Sequence, residues 1–282
     1  MKVLKTLDDM KAWSRKVRQD GQTLGLVPTM GYLHAGHLSL ARKSMSVCDR
    51  TVVSIFVNPT QFGPNEDLDT YPRNLEADRK ELEQLGVDAL FLPTGEDMYP
   101  EGFQTYVHVE EITDKLCGNS RRELFRGVTT IVLKLFNIVQ PHSAFFGEKD
   151  RQQLEVIRKM VDDLNLDVEV VGLPIIREPD GLAMSSRNKY LGKAERKTAL
   201  SLHEALQKAQ QWVAQGESSV DALRSRMRTI IEREGQAKVD YISVCDPKRF
   251  EELEEIQGQA MIALAVHVGK ARLIDNCLIE RI

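Results

Sequence analysis

At 282 residues, with 42% apolar and 28% charged residues and a formal net charge of −4, the chain has the make-up of a globular protein with material for about two domains. These figures exclude a largely disordered, collagen-like or low-complexity chain, and the slight acidity argues against nucleic-acid binding, which calls for a basic face. No apolar run approaches the roughly 18 residues of a membrane span, and no signal peptide is expected.

In chain order, Leu7, Met10, Trp13 and Val17 stand at helical spacing, with Thr6 and Asp9 placed as a cap and Gly21 as the stop. Leu24–Val27 reads as a strand stopped by Pro28, and a helix is expected to start near Gly36. Thr51–Val57 is the clearest buried strand, with Leu75, Leu82 and Leu85 marking a helix closed by Gly86. Ala89–Leu92 and Thr105–Val109 read as strands, and Val128 to Val139 as a strongly apolar helix face. Ala144–Phe146 is a strand, a helix carries Leu154, Ile157 and Met160, and Val168–Val171 closes the series. This alternation predicts an α/β fold, a doubly wound (Rossmann-like) parallel sheet over residues 1–175.

The loop signal Arg177-Glu178-Pro179-Asp180-Gly181 opens a different texture. Helices are expected over Lys193–Gln215 and Ser219–Glu234, then strands at Tyr241–Val244, Met261–Val268 and Ala271–Asp275, the last two joined by a tight turn at Gly269-Lys270. Residues 176–282 therefore read as a smaller α+β C-terminal domain with an antiparallel sheet. Cys48, Cys117, Cys245 and Cys277 are scattered and form no Cys-x-x-Cys, which predicts free thiols in a reducing, cytoplasmic setting.

Four segments carry chemistry. Pro28-Thr29-Met30-Gly31-Tyr32-Leu33-His34-Ala35-Gly36-His37 follows a strand and opens a helix. Its glycines allow a tight turn, the helix start offers N–H groups to an anion, and two imidazoles three residues apart can donate to phosphate oxygens. A capped structural loop fits the same residues, whereas a zinc site lacks a third ligand. Phe146-Gly147-Glu148-Lys149-Asp150 also ends a strand: Lys149 suits a phosphate and Asp150 a Mg²⁺ ion or a ribose hydroxyl, or the segment is a solvated turn. Met184-Ser185-Ser186-Arg187-Asn188 is a set of donors suited to a triphosphate, or an interdomain linker. Asn58 and Gln61 end the strongest strand, and one of Gln152 and Gln153 is expected to face the sheet edge. Ligands of doubly wound sheets gather at such strand ends, so the set points to a nucleoside triphosphate site. No Walker A, Gly-x-Gly-x-x-Gly or Gly-x-Ser-x-Gly motif is present.

His34-Ala35-Gly36-His37 resembles the His-x-Gly-His signature of the nucleotidyltransferases related to class I aminoacyl-tRNA synthetases. The longer Pro28–His37 string resembles the pantothenate synthetase (pantoate–β-alanine ligase) family. So do Phe56-Val57-Asn58-Pro59-Thr60-Gln61-Phe62, Phe146–Gln153, Met184–Asn188 with Tyr190-Leu191, and Ala271-Arg272-Leu273-Ile274-Asp275-Asn276. The resemblance implies an ATP-dependent ligase that joins pantoate to β-alanine through a pantoyl adenylate, releasing AMP and pyrophosphate, with Mg²⁺ accompanying ATP and a homodimer formed through the nucleotide-binding domain.

It also implies site residues. Met30 to His37 line the ATP site, with His37 as the proton-donating residue and His34 beside it. Gly147, Glu148, Lys149 and Asp150 bind ATP, Lys149 on the phosphates, and Ile176 touches the adenine side. Met184, Ser185, Ser186 and Arg187 form a mobile phosphate loop. Gln61 binds pantoate and β-alanine and Gln153 binds pantoate; Asn58 is expected at the substrate from its place beside Gln61 at the end of the strand. One departure stands out: the chain reads Arg121-Arg122-Glu123-Leu124-Phe125-Arg126-Gly127-Val128 where family members often carry a histidine, leaving Arg121 and Arg126 as candidate anion contacts. The rival readings are a related transferase that leaves the nucleotide on its product, and a nucleotide- or RNA-binding module without activity.

Overall fold

The computed structural model describes residues 1–64 and 66–281. The chain divides into two compact units. The first comprises Met1–Thr113, Arg121–Glu148 and Gln152–Pro174, and the second comprises Asp114–Ser120, Lys149–Arg151 and Ile175–Ile282.

The first unit holds β1 (Lys2–Leu4), α1 (Leu7–Gln19), β2 (Leu24–Thr29), α2 (Ala35–Val47), β3 (Arg50–Ile55), α3 (Leu75–Leu85), β4 (Ala89–Phe91), α4 (Leu124–Val139), β5 (Ser143–Gly147) and β6 (Glu169–Leu173), with α5 (Arg151–Asp163) running on from β5. The strands form one parallel sheet in the order β1-β4-β3-β2-β5-β6. Helices α2 and α3 cover one face, burying Leu40, Ala41 and Leu82 against Val27, Val53, Leu90 and Phe145 from four strands. Helices α1 and α4 pack beside β2 as well. From β2 the chain winds outward one way through β3 and β4, and the other way through β5 and β6. The winding therefore reverses between the neighbouring strands β2 and β5, where a sheet of this kind opens a crevice at its carboxyl edge.

Local signals explain several boundaries. Thr6 caps α1 by accepting the Asp9 N–H at 3.1 Å. Gly86 ends α3 in the left-handed conformation, φ 88°. β3 is buried along both faces, as a central parallel strand requires.

Two expectations needed correction, and one strand was not anticipated. Pro28 does not stop β2, which continues to Thr29 against β3; the ladder to β5 ends two residues earlier at Leu26, so Pro28 leaves no donor missing on that side. Thr105–Val109 is not a strand. Its backbone bonds side chains of α4 instead: Val107 N–H donates to Thr130 Oγ1 at 3.0 Å, and Thr129 Oγ1 donates to Val107 O at 2.7 Å. Finally, β1 adds an edge strand that the periodicity does not show, because three residues carry no period.

In the second unit, β7 (Ala237–Cys245), β8 (Gln259–Val268) and β9 (Ala271–Glu280) form an antiparallel sheet in that order. Gly269 makes the β8–β9 turn at φ 55°. Helices α6 (Lys193–Ala214) and α7 (Val220–Glu232) cover one face, with Leu202, Leu206, Leu223 and Met227 packed against Val244, Leu264 and Val266. The described helices include none long and apolar enough to cross a membrane.

Candidate active site

The loop after β2 is shaped by its own backbone. Gly31 (φ 82°) and Tyr32 (φ 51°) turn the chain sharply. The turn then presents two successive N–H groups to one buried carboxylate: Asp78 on α3 accepts from Tyr32 at 2.8 Å and from Leu33 at 2.7 Å. Burial pushes the Asp78 carboxyl up, and those two N–H groups pull it back down. Asp78 was not among the expected site residues. The available signal was an acid on the Leu75/Leu82/Leu85 stripe of α3, where an apolar residue belongs.

His34 caps α2. Its Nδ1 accepts the Gly36 N–H at 3.1 Å, and His37 Nδ1 accepts the His34 N–H at 3.3 Å, which closes a capping box with imidazoles. The two rings lie 4.0 Å apart between centroids, tilted by 36°. An Nδ1 that accepts leaves the proton of a neutral imidazole on Nε2. A neutral ring that accepts at Nδ1 is therefore still chemically able to act as the donor expected from the sequence.

The end of β3 meets this loop. Phe56 N–H donates to Thr29 O at 3.0 Å. Asn58 is buried, and its amide is spent inside the protein. Its Nδ2 donates to Gln61 Oε1 at 3.0 Å and Gly127 O at 3.1 Å, while its Oδ1 accepts from the Tyr99 hydroxyl at 2.8 Å. Gln61 in turn directs Nε2 to Met30 Sδ at 3.3 Å. The structure thus brings Met30 and Gln61 together and places Asn58 behind Gln61 as its support.

Gly127 of α4 is needed at this point. A Cβ there would strike the Thr60 carbonyl and come within 2.6 Å of the Gln61 nitrogen. The two arginines of the divergent loop have internal partners. Arg121 pairs with Glu66 and donates to Gln61 O at 3.3 Å. Arg126 pairs with Glu123 and lies 3.7 Å above the Tyr106 ring. Of the two glutamines on α5, Gln152 is buried and donates to Ile112 O at 2.9 Å, while Gln153 is half-buried. Gly147 ends β5, the strand beside β2.

In the second unit, Lys149 Nζ stands 3.7 Å from the Asp150 carboxylate, and the Lys149 carbonyl accepts from Asn276 Nδ2 at 3.0 Å. Ile176 O accepts the Met184 N–H at 2.9 Å, which pairs the two ends of the intervening turn. Ser185 Oγ accepts the Arg187 N–H at 3.3 Å and so caps the short 3-10 helix Ser186–Tyr190. Asn188 Nδ2 donates to Glu178 Oε1 at 2.7 Å and to Ala183 O at 3.1 Å, anchoring the far end of that stretch. Among the described residues no group of three or more His, Cys, Asp or Glu could hold a metal ion.

A family model described as pantoate-beta-alanine ligase matches residues 2–278. The chain is 54% identical over 280 residues to the pantothenate synthetase of Acetivibrio thermocellus, covering 99% of this chain and all of that one. The crystal structure of pantothenate synthetase from Thermus thermophilus superposes with a TM-score of 0.93 at 43% identity, over 98% of this chain and 99% of that one. A pantoate-beta-alanine ligase from Francisella tularensis, crystallised with beta-gamma ATP and beta-alanine, matches with a TM-score of 0.81 at 35% identity, over 99% of this chain and 97% of that one.

Proposed function

Because the chain belongs to the pantoate-beta-alanine ligase family, we propose that it condenses pantoate with β-alanine, using ATP and releasing AMP and pyrophosphate through a pantoyl adenylate. It is an amide-forming, ATP-dependent ligase. The family match over residues 2–278 carries this reading, and the geometry of each unit suggests how the residues divide the work.

In the first half-reaction the pantoate carboxylate attacks the α-phosphorus, and the P–O bond to pyrophosphate breaks. Negative charge builds on the α-phosphate and the leaving group, so fixed donors accelerate the step more than any covalent group would. His37 Nε2, oriented by the capping box, is proposed to donate to the developing charge, with His34 beside it. The remaining residues from Met30 to Gly36 are proposed to line the nucleotide. Lys149 and Arg187 are assigned to the phosphates, Ser185 and Ser186 to phosphate hydrogen bonds, Ile176 and Met184 to the nucleotide side, and Gly147 and Glu148 to the ATP edge at β5. Gln61, held by Asn58, and Gln153 are assigned to pantoate. In the second half-reaction the β-alanine amine, also at Gln61, attacks the acyl carbon, AMP leaves, and the amine sheds a proton.

Residues 1–175 are proposed as the nucleotide- and pantoate-binding domain, and residues 176–282 as a lid. Mg²⁺ accompanying ATP would neutralise phosphate charge. Such an ion takes most of its ligands from phosphates and water and one or two from carboxylates; Asp150, part-exposed beside Lys149, is the carboxylate that suits it. The proposed assembly is a homodimer, which analytical ultracentrifugation tests. All four cysteines are free thiols, consistent with the proposed cytoplasmic setting.

The test is to mix folded protein with ATP, pantoate and β-alanine and to follow AMP and pantothenate. Both products in equal amounts are expected. Absence of AMP, or a nucleotide retained on the product, overturns the proposal.

A further inference from the structure

Two consecutive residues of β9 hold two separate stretches of the second unit. Successive side chains of a strand leave on opposite faces. Asp275 shares its face with Leu273 and Ile279, which are buried in the core under α6 and α7. Asn276 leaves on the other face. Asp275 is 3% exposed, and its carboxylate takes both ends of one guanidinium: Oδ2 accepts from Arg177 Nη1 at 2.7 Å, and Oδ1 from Arg177 Nη2 at 3.0 Å. The same Nη1 donates to Gly181 O at 3.1 Å, closing the turn that leads into Met184–Arg187. That turn is further confined because Gly181, at φ 97°, has the His203 imidazole packed where a Cβ would sit. On the opposite face, Asn276 Nδ2 holds the Lys149 carbonyl at 3.0 Å, while the Asn276 N–H bonds Asp275 Oδ1 at 2.8 Å.

Stability does not account for this arrangement. A buried ion pair is commonly matched or bettered by apolar residues of the same volume. It does supply direction, because a two-pronged guanidinium–carboxylate pair has one geometry. We propose that Asp275 and Asn276 are positioning residues that set Lys149 and the Ser185–Arg187 stretch in register with each other for one triphosphate. The inference rests on the phosphate roles proposed above for Lys149 and Arg187. Neither β9 residue touches the nucleotide; each acts through a loop it holds.

Pantoate-dependent exchange of pyrophosphate into ATP, measured on the full chain, tests this. Asn276→Ala is expected to lower the exchange kcat by about 10- to 100-fold, the usual consequence of a small displacement of a catalytic group, with KM for pantoate unchanged and the melting temperature lowered by only a few degrees. Added to Lys149→Ala, it is expected to cost less than about two-fold more, since the two act as one unit. An unaltered kcat in Asn276→Ala, or an undiminished loss in the Lys149→Ala background, overturns the inference while leaving the function in place. Full exchange in Lys149→Ala alone instead overturns the phosphate role of Lys149, and the inference with it. For Asp275, the paired replacement Arg177→Met with Asp275→Leu avoids an orphaned charge. It is expected to keep or raise the melting temperature while exchange stays at least about 10-fold down. Restored exchange in that variant makes the pair merely structural and overturns its positioning role.

Discussion

In the loop after β2, the groups that hold the histidines lie two or three residues away from them. In the second unit, Arg177 is held by a partner 98 residues distant, and Lys149 by one 127 residues distant. The first arrangement is a helix cap, in which short-range backbone N–H groups choose the imidazole orientation. The second is a set of charged and amide side chains whose orientation exists only once β9 is in place. A local device survives small shifts elsewhere in the fold. A long-range one reports them, and it concentrates buried charge where a single deletion is costly.

Substitutions can break or sharpen this contrast. His37→Ala has the largest expected effect: turnover falls by about 10²- to 10³-fold, as when one transition-state donor is lost. The lost cap costs only about 1 kcal/mol of stability. Steady-state AMP release and urea unfolding read the two effects, and turnover above a tenth of normal contradicts the role of His37. In the second unit the balance inverts. Arg177→Ala strands the Asp275 carboxylate and is expected to cost about 3–5 kcal/mol in urea unfolding. A loss below about 1 kcal/mol would remove the energetic half of the contrast.

Asp78 is the exception that sharpens it, being a long-range tie within the local loop. Asp78→Ala leaves the Tyr32 and Leu33 N–H groups without their acceptor, at about 1–3 kcal/mol, and ATP affinity is expected to fall with it. Undiminished ATP binding, read by calorimetric titration, would show that the loop keeps its shape without Asp78.

The smallest effect is a pH dependence. Burial, and then the nearby Arg177 charge, hold the His203 imidazole below its usual range. The unfolded chain then binds more protons than the folded one in the window below about pH 6.5, so stability is full above that pH and declines as pH falls through it. The melting temperature of the wild type should drop between pH 7 and pH 5, and His203→Gln should flatten that drop. Parallel curves for the two proteins would assign the effect elsewhere.

Much of this was legible beforehand for identifiable reasons. The Thr6 cap, the Gly86 stop, β3 and the Gly269 turn all rest on residues whose own conformational preferences decide the outcome. Loops placed at strand ends followed from alternation alone. Thr105–Val109 was misread because a β-branched run is equally content to bond the hydroxyls of Thr129 and Thr130. Asn58 read as a ligand contact because residue type does not reveal that its amide is occupied by Gln61, Gly127 and Tyr99.

The chain's order of apolar runs, caps and glycines by itself determined the two kinds of sheet and the positions of the loops, since periodicity and backbone preference act within a few residues, while the family resemblance rested on the motif strings themselves. Only the tertiary structure decided that Asp78 would brace the loop before α2 and that β9 would grip Lys149 and Arg177 from opposite faces. Those outcomes depend on which donors and acceptors burial leaves facing one another. That is a property of packing across scores of residues, and no local pattern encodes it.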